Sequence, residues 1–246
     1  MGGYTGPNIV TDGLVLHLDA GNSKSYTGSG TEWKDLSDNK NNGNFSKVVS
    51  YEDTSGGGIV MDETYQYLDI PYITPYDHFK MGDFTIETVV RSDYAVHPVS
   101  RHPLKIGHTV TVSDQKGFSL GHTLNINDIE VRVGDGSTLD FGNITHHLIS
   151  ESTYYHRIFT INRNSGCLVR HHLNGVYVGQ LDAPTVTGEI YDPSTSDLGT
   201  PGNIGFGYVW GWRFIGSVNI IKIYNKILTE SEIQQNYTTI RSRFDI

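Results

Sequence analysis

Cysteine is almost absent from this sequence of 246 residues, in which Cys167 is the only one. A disulfide framework within the chain and a zinc cluster held by cysteines are therefore excluded, because each needs several thiols. A chain of this length can bury roughly 70–75% of its unfolded surface, so its core needs no covalent cross-links. The low cysteine content also fits a protein that folds in a reducing compartment.

Basic residues are scarce as well. Lysine and arginine number 18 against 27 aspartates and glutamates, which gives a formal net charge of −9 at pH 7. Nucleic acids and anionic membranes select basic surfaces, so neither is expected as a partner. No apolar run approaches the roughly 18 residues of a membrane span, and we expect no membrane insertion. The first residues have neither the basic nor the apolar segment of a secretory signal, so we expect assembly in the cytoplasm.

Glycine, tyrosine and turn-forming residues take the place of the missing charges. The chain has 28 glycines and 15 tyrosines, and such a composition is typical of strands joined by tight turns. Apolar and polar residues alternate along much of the chain, which is the period of a strand. The clearest hairpin spans residues 168–181, where Asn174-Gly175 separates two alternating segments. The sequence therefore predicts an all-β protein.

One helix is predicted, over residues 229–244. Thr229-Glu-Ser-Glu232 has the pattern of a capping box, in which each end residue bonds the backbone amide of the other. Apolar residues then recur at helical spacing, which predicts one stripe packed on a sheet. That stripe contains Ile233, Tyr237, Ile240 and Phe244. Because no linker or charge block divides the chain, we predict a single domain over 1–246, with 1–8 as a short N-terminal arm.

Segments along nearly the whole chain share a recognisable pattern. They are Ile9-Val-Thr-Asp-Gly-Leu-Val-Leu-His-Leu-Asp-Ala-Gly-Asn22, Trp33-Lys-Asp-Leu-Ser37, Gly82-Asp-Phe-Thr-Ile-Glu87, Leu173-Asn-Gly-Val-Tyr-Val178 and Lys222-Ile-Tyr-Asn-Lys-Ile-Leu-Thr-Glu-Ser-Glu-Ile-Gln-Gln-Asn-Tyr237. This pattern resembles the concanavalin A-like, laminin-G-like jelly-roll domains found in structural proteins of tailed bacteriophages. The resemblance implies a two-sheet antiparallel jelly-roll sandwich with one short C-terminal helix. It also implies ligands on the concave face or on the loops at its rim.

The resemblance further implies a bacteriophage virion accessory protein, either a capsid decoration or vertex protein or a component of a tail or fibre. Such a protein is part of the virion, is assembled in the host cytoplasm and contacts other virion proteins. We expect it to be a homo-oligomer, for which a trimer is one arrangement, and to adhere to host-surface carbohydrate. Two alternatives remain, because the same fold carries all three functions. They are a purely structural subunit-contact module without a glycan ligand, and a glycan hydrolase or depolymerase.

The motif that related hydrolases use is missing. Those enzymes carry Glu-x-Asp on one strand, because residues two positions apart share a face. None of the nine glutamates of this chain is followed two positions later by aspartate. Glu87 and Glu130 lie on predicted strands without such a partner. We therefore expect a protein that is not an enzyme, and only other paired carboxylates would support the hydrolase alternative.

An aromatic, glycine-rich segment is the candidate carbohydrate-binding site. Tyr208, Trp210 and Trp212 alternate, so they project to one side if the segment is extended. Aromatic faces stack on sugar rings, and Arg213 and Asn203 are the candidate polar partners for sugar hydroxyls. The alternative is that the same aromatic residues pack in the core or against a neighbouring subunit.

No cofactor is expected apart from calcium. Asp35, Asp38 and Asn41 are the calcium candidates, because related lectins bind this ion through side-chain oxygens on loops. Turn chemistry explains the same residues without an ion. Adjacent side chains on a strand point to opposite faces, so neither histidine pair, 146–147 or 171–172, can hold one ion there without a bulge. The alternative for 146–147 is an ion held in a loop.

Overall fold

The computed structural model describes residues 8–61, 66–70, 78–93, 104–108, 116–122, 128–145, 150, 152–164, 166–190, 204–207 and 214–246. These residues form two antiparallel sheets of eight strands each, together with helices α1 (His78–Met81) and α2 (Glu230–Phe244). The predicted all-β sandwich with one C-terminal helix is confirmed. The one-turn helix α1 was not predicted. Its Phe79 is fully buried and packs edge-on against Phe84, with 4.8 Å between the ring centres.

Helix α2 covers one of the sheets, which we call the helix-side sheet. In spatial order that sheet contains β14 (Val176–Ala183), β13 (Cys167–Leu173), β12 (Tyr154–Asn162), β7 (Phe84–Ser92), β16 (Gly216–Tyr224), β5 (Gly58–Met61) and β4 (Ser50–Glu52), with β1 (Leu14–Asp19) also paired to β16. We call the second sheet the open-face sheet. In spatial order it contains β11 (Leu139–Thr145), β10 (Asp128–Asp135), β9 (Lys116–His122), β8 (Leu104–His108), β15 (Ile204–Gly207), β6 (Tyr67–Ile70), β3 (Gly43–Phe45) and β2 (Glu32–Trp33).

The main core lies between the two sheets. Alternate residues of each strand point inward, so Ile86 and Phe159 of the helix-side sheet share one apolar cluster with Leu120 and Val131 of the open-face sheet. Trp33 belongs to the same cluster and has no exposed surface. The intervening residues of each strand point away from this core, towards helix α2 on one side and outward on the other.

The predicted hairpin is confirmed in detail. Strands β13 and β14 pair from Leu173 opposite Val176 onward. Asn174 and Gly175 both have positive φ, at 49° and 77°, which is the conformation of the two-residue turn that fits strand twist.

The capping box of α2 is confirmed, and its buried stripe needs one correction. The side-chain oxygen of Thr229 accepts a bond from the Glu232 amide, and the Glu232 carboxylate accepts one from the Thr229 amide. The fully buried polar position is Asn236, whereas the predicted Tyr237 is only half-buried and stacks on His156. Asn236 is buried because it bonds with a carboxylate of the sheet below. In the part of the chain that the structure describes, neither helix is long and apolar enough to span a membrane.

Candidate functional site

The predicted aromatic site lies outside the described residues. Asn203, Tyr208, Trp210, Trp212 and Arg213 all belong to segments that the structure does not describe, so their role stays a prediction. The described chain resumes at residue 214, the next aromatic position in that alternation. That phenylalanine is 2% exposed and lies in the core between the sheets.

The calcium candidates form a hydrogen-bonded turn. The buried carboxylate of Asp35 accepts two bonds at Oδ1, from the backbone amides of His17 and Ser37, each 2.8 Å long. Its Oδ2 accepts the Ser37 hydroxyl at 2.7 Å and the Asn41 amide at 2.8 Å. Asp38 is exposed. Four neutral donors therefore occupy the Asp35 carboxylate, as the turn alternative requires, and calcium binding here stays a prediction.

The histidine pair at 171–172 is divided between the two faces of its sheet. His171 stacks on Phe159 in the interior, with 4.3 Å between the rings, whereas His172 Nε2 lies 3.0 Å from Glu230 of helix α2. Among the described residues, no group of three or more histidine, cysteine, aspartate or glutamate side chains could hold a metal ion. Cys167 is buried, and burial raises the pKa of its thiol, which disfavours the reactive thiolate. The pair 146–147 lies outside the described residues.

Glu87 is a buried structural ion. Its Oε1 lies 2.7 Å from Lys222 Nζ and 3.0 Å from His156 Nε2, and its Oε2 accepts a bond from Asn236 at 2.6 Å. Burial alone would raise the pKa of this carboxyl, but the Lys222 ammonium and the contact with His156 hold it below its ordinary range. A carboxylate enclosed in this way joins the sheet to the helix and has no access to a substrate.

The outer face of the open-face sheet carries one continuous row of aligned residues, which we call the cross-strand row. Strand register places them side by side as Glu32, Asn44, Asp69, Gly205, Lys105, Ser119, Arg132 and Phe141. The neighbouring positions along β6, β9 and β10 are Leu68, Leu120 and Val131, which point into the core. The row therefore belongs to the outer face. It is exposed at Asn44 and at Phe141 but buried at Ser119.

At the β11 end of this row, an aromatic ring lies open to solvent beside charged groups. Phe141 is 67% exposed and is the direct cross-strand partner of Arg132. The Nε of Arg132 donates to Glu130 Oε1 at 2.6 Å, and the exposed Asn143 stands opposite Glu130. We call these four residues, Glu130, Arg132, Phe141 and Asn143, the β10–β11 patch. An exposed aromatic face beside a guanidinium, a carboxylate and an amide provides the groups that sugar recognition uses.

The neighbours of Glu130 also bear on the hydrolase alternative. Its two cross-strand partners are Gly121 on β9 and Asn143 on β11, so neither adjacent strand places an acid beside it. Glycoside hydrolysis needs two carboxyl groups roughly 5–10 Å apart. On β10 itself, Asp128 lies two positions from Glu130 on the same face, so the hydrolase alternative stays open at this position.

Sequence reasoning missed Phe141, because it did not predict strand β11. The segment Leu139–Thr145 contains aspartate, glycine and asparagine, which are depleted in strands. A signal was present nonetheless. Asp135-Gly136 is a hairpin turn signal at the end of strand β10, and Gly136 has a φ of 88°. Extending the hairpin beyond that turn would have placed Phe141 opposite Arg132.

Known proteins resemble this chain in fold but not in sequence. No family model matches it, and no curated protein matches it. The binding domain of Paraclostridial mosquitocidal protein 1 is similar with a TM-score of 0.66 at 15% identity, over 92% of this chain and 52% of that one. The binding domain of botulinum neurotoxin serotype G gives 0.66 at 13%, over 93% and 51%. The serotype D ligand-binding domain, solved in complex with N-acetylneuraminic acid, gives 0.68 at 12%, over 94% and 52%.

These likenesses establish the fold. The chain has the jelly-roll β-sandwich fold that is also present in these toxin binding domains, and it spans about half the length of each of them.

Proposed function

We propose that the protein is a non-enzymatic carbohydrate-binding module that adheres to glycan-coated surfaces through the β10–β11 patch. The observation that carries the proposal is the 67% exposure of Phe141, a large aromatic side chain on a regular strand. An aromatic ring left in water at this position has a face available for the C–H side of a sugar ring.

The charged neighbours of Phe141 give the patch its polar half. Arg132 and Glu130 are about four-fifths buried, and their mutual bond fixes both side chains beside the ring. Groups fixed in this way lose little side-chain entropy when they bond sugar hydroxyls. The exposed amide of Asn143 adds a donor and an acceptor on the same face.

The structural neighbours support binding as the general role. Two of the domains described above are named as binding domains, and the serotype D domain holds N-acetylneuraminic acid, a sugar. Because this chain corresponds to about half of each domain, the transfer of a glycan ligand to it is part of the proposal.

The sequence further predicts that the protein is part of a bacteriophage virion, as a capsid decoration or vertex protein or as a tail or fibre component. It would then contact other virion proteins and form a homo-oligomer such as a trimer. Many copies of a weak site bind a glycan-coated surface strongly, because each further contact is effectively intramolecular. The segment with Tyr208, Trp210 and Trp212 would supply a second sugar contact in this setting.

A structural module without a glycan ligand is the second candidate, and the same exposed Phe141 favours it. An exposed aromatic residue beside a charged pair also suits the contact between two subunits. In that case Phe141 becomes buried on assembly, and its replacement by alanine impairs incorporation into the particle while leaving any glycan binding unaffected.

A glycan array with the purified full chain separates the two candidates. Phe141→Ala should lose the signal that the unmodified chain gives. The matched control is Tyr177→Ala, which removes an aromatic side chain that is 47% exposed on the other sheet. If the unmodified chain binds no glycan, or if both variants bind as it does, the carbohydrate proposal is wrong.

A further inference from the structure

Arg157 is a cation buried between the two sheets. On strand β12, residues 155, 157, 159 and 161 point to the same side, and Phe159 and Ile161 belong to the core. Arg157 therefore points between the sheets, and only 3% of it is exposed. Its cross-strand neighbours are Thr88 and Leu173, neither of which carries a charge.

The guanidinium of Arg157 has no anionic partner among the described residues. Its Nε and Nη2 are both buried and donate no hydrogen bond. Two other described arginines are paired with carboxylates. Arg91 pairs with Glu52 and Asp93, and Arg243 forms two bonds to Asp19. Arg163 is also buried without an anion among the described residues, but it donates to the backbone carbonyls of Val186 and Gly188. Arg157 differs from all three, because both donors on one edge of its guanidinium lack an acceptor.

The charge on Arg157 persists despite its burial. Burial lowers its pKa to about 10, against the opposing influence of Tyr155, so the side chain is still protonated at neutral pH. A buried charge is costly unless an opposite charge and hydrogen bonds compensate for it. An anion bound at the guanidinium would offset this cost.

The two unpaired donors select one kind of anion. Nε and Nη2 lie on the same edge of the guanidinium plane, and their parallel N–H bonds match the two oxygens of a carboxylate. The centre of the Tyr155 ring lies 5.9 Å from the guanidinium carbon, so an aromatic side chain is adjacent to these donors. A planar ligand group with two oxygens fits this arrangement better than a single-atom ion does.

The position of Arg157 gives the direction from which a ligand would arrive. It is the fourth residue of β12, near the end of the sandwich where β7 finishes and β16 begins. Gly216, the first residue of β16, is paired with Ser92, the last residue of β7. Arg157 therefore lies near this end of the space between the sheets.

We propose that Arg157 binds the carboxylate of a small ligand, an acidic sugar such as a uronic acid, in a site between the sheets at this end of the sandwich. This site goes beyond the proposed function, because the β10–β11 patch lies on the outer face of the open-face sheet. Both oxygens of the carboxylate accept a bond from Arg157, one from Nε and one from Nη2.

The test titrates the full chain separately with glucuronate, glucose, acetate and sulfate. The readouts are the melting temperature and the Nε–H signal of Arg157 in proton–nitrogen NMR. Glucuronate should raise the melting temperature and shift the signal, whereas glucose should do neither. Binding of glucuronate without acetate supports an acidic sugar, and equal binding of both supports the carboxylate alone. A response to sulfate and to neither carboxylate overturns the proposal, as does no response to any carboxylate.

Two substitutions at position 157 sharpen this test. Arg157→Lys keeps the charge but removes the paired donors, and it should weaken glucuronate binding by about tenfold. Arg157→Gln removes the charge and should abolish binding. Its melting temperature without ligand should not fall, because no ion pair with a described residue is lost. Equal binding by Arg157→Gln and the unmodified chain overturns the proposal, and so does a large loss of stability in that variant.

A third variant separates this proposal from the glycan-adhesion proposal. Phe141→Ala should leave the glucuronate response intact, because Phe141 faces away from the space between the sheets. If that variant also loses the response, the two sites are not independent and the site at Arg157 is wrong.

Discussion

Asn236 of helix α2 donates a hydrogen bond of 2.6 Å to Oε2 of Glu87, a carboxylate with no exposed surface on strand β7. The Oδ1 of Asn236 accepts a bond of 2.8 Å from the backbone amide of Val10. One side chain therefore joins the helix, the sheet and the segment before β1. This layer of polar contacts fixes α2 on the helix-side sheet.

Removing the ammonium beside Glu87 should strongly destabilise the protein. Lys222→Met leaves a buried carboxylate without its cation, and the expected loss in the free energy of unfolding is about 3–5 kcal/mol. Urea denaturation measures it. The double variant Lys222→Met, Glu87→Leu should recover much of the loss, because it removes the buried charge altogether. If the double variant is no more stable than Lys222→Met, the loss does not come from the unpaired carboxylate.

Acidification should lower stability in two successive pH ranges. Burial, assisted by Lys222, lowers the pKa of His17 from 6.5 to about 4. The unfolded chain therefore binds a proton at His17 before the folded protein does, so stability falls between about pH 6.5 and 4. The pKa of Glu87 is also depressed in the folded protein, and its contribution is lost as the pH falls below its ordinary value of 4.5.

Two variants test which group causes the loss of stability in each pH range. The stability of each variant is measured by urea denaturation at a series of pH values. His17→Gln should flatten the decline between about pH 6.5 and 4, while leaving the decline at lower pH. Glu87→Gln should flatten the decline below pH 4.5. A His17→Gln variant with the same slope as the unmodified chain between pH 6.5 and 4 would contradict the assignment to this imidazole.

The β13–β14 turn should not tolerate a side chain at Gly175. Its φ is 77°, and an added Cβ would lie 2.9 Å from atoms of Gln234 and Tyr237 on helix α2. Gly175→Ala should cost at least about 1 kcal/mol in the free energy of unfolding from backbone conformation alone, and more from the contact with the helix. Gly30→Ala is the matched control, because its φ of 94° is also positive but an added Cβ there meets nothing within 4 Å. Equal losses of unfolding free energy in the two variants would show that contact with helix α2 adds nothing to the cost at Gly175.

Asp35 should matter for stability with or without calcium. Asp35→Ala leaves the buried amide donors of Ser37 and Asn41 without an acceptor, and we expect a loss of about 2–4 kcal/mol. The control Asp38→Ala removes an exposed carboxylate and should change stability by less than about 0.5 kcal/mol. Thermal denaturation in calcium and in chelator checks both. A loss that appears only in calcium would show that an ion, rather than the turn, is held there.

Local features of the fold could be predicted from the sequence, and contacts between distant segments could not. The Asn174-Gly175 turn and the Thr229 cap depend on residues within a few positions of each other, so their chemistry is visible in the sequence. The burial of Asn236 depends on Glu87, which is 149 positions away. Helical periodicity indicated Tyr237 instead, because it ranks residues by apolar character and contains no information about a buried carboxylate.

The candidate sites also depend on contacts between distant segments, which the sequence does not show. Strand β11 has weak strand propensity and is held by its pairing with β10, so the exposure of Phe141 becomes visible only when the register is known. Arg157 lies in a segment that reads simply as a strand, and nothing in its sequence neighbours shows that the guanidinium lacks a partner. The fold class, in contrast, depends on alternation along many strands and could be predicted.

Glycan binding by the unmodified chain and by Phe141→Ala tests the central claim most directly. Isothermal titration with the strongest ligand from the array should show an affinity at least about tenfold weaker for Phe141→Ala. The Tyr177→Ala control should bind as the unmodified chain does, since its exposed ring lies on the helix-side sheet. Unchanged affinity in Phe141→Ala, with the variant folded to the same melting temperature, would contradict the account.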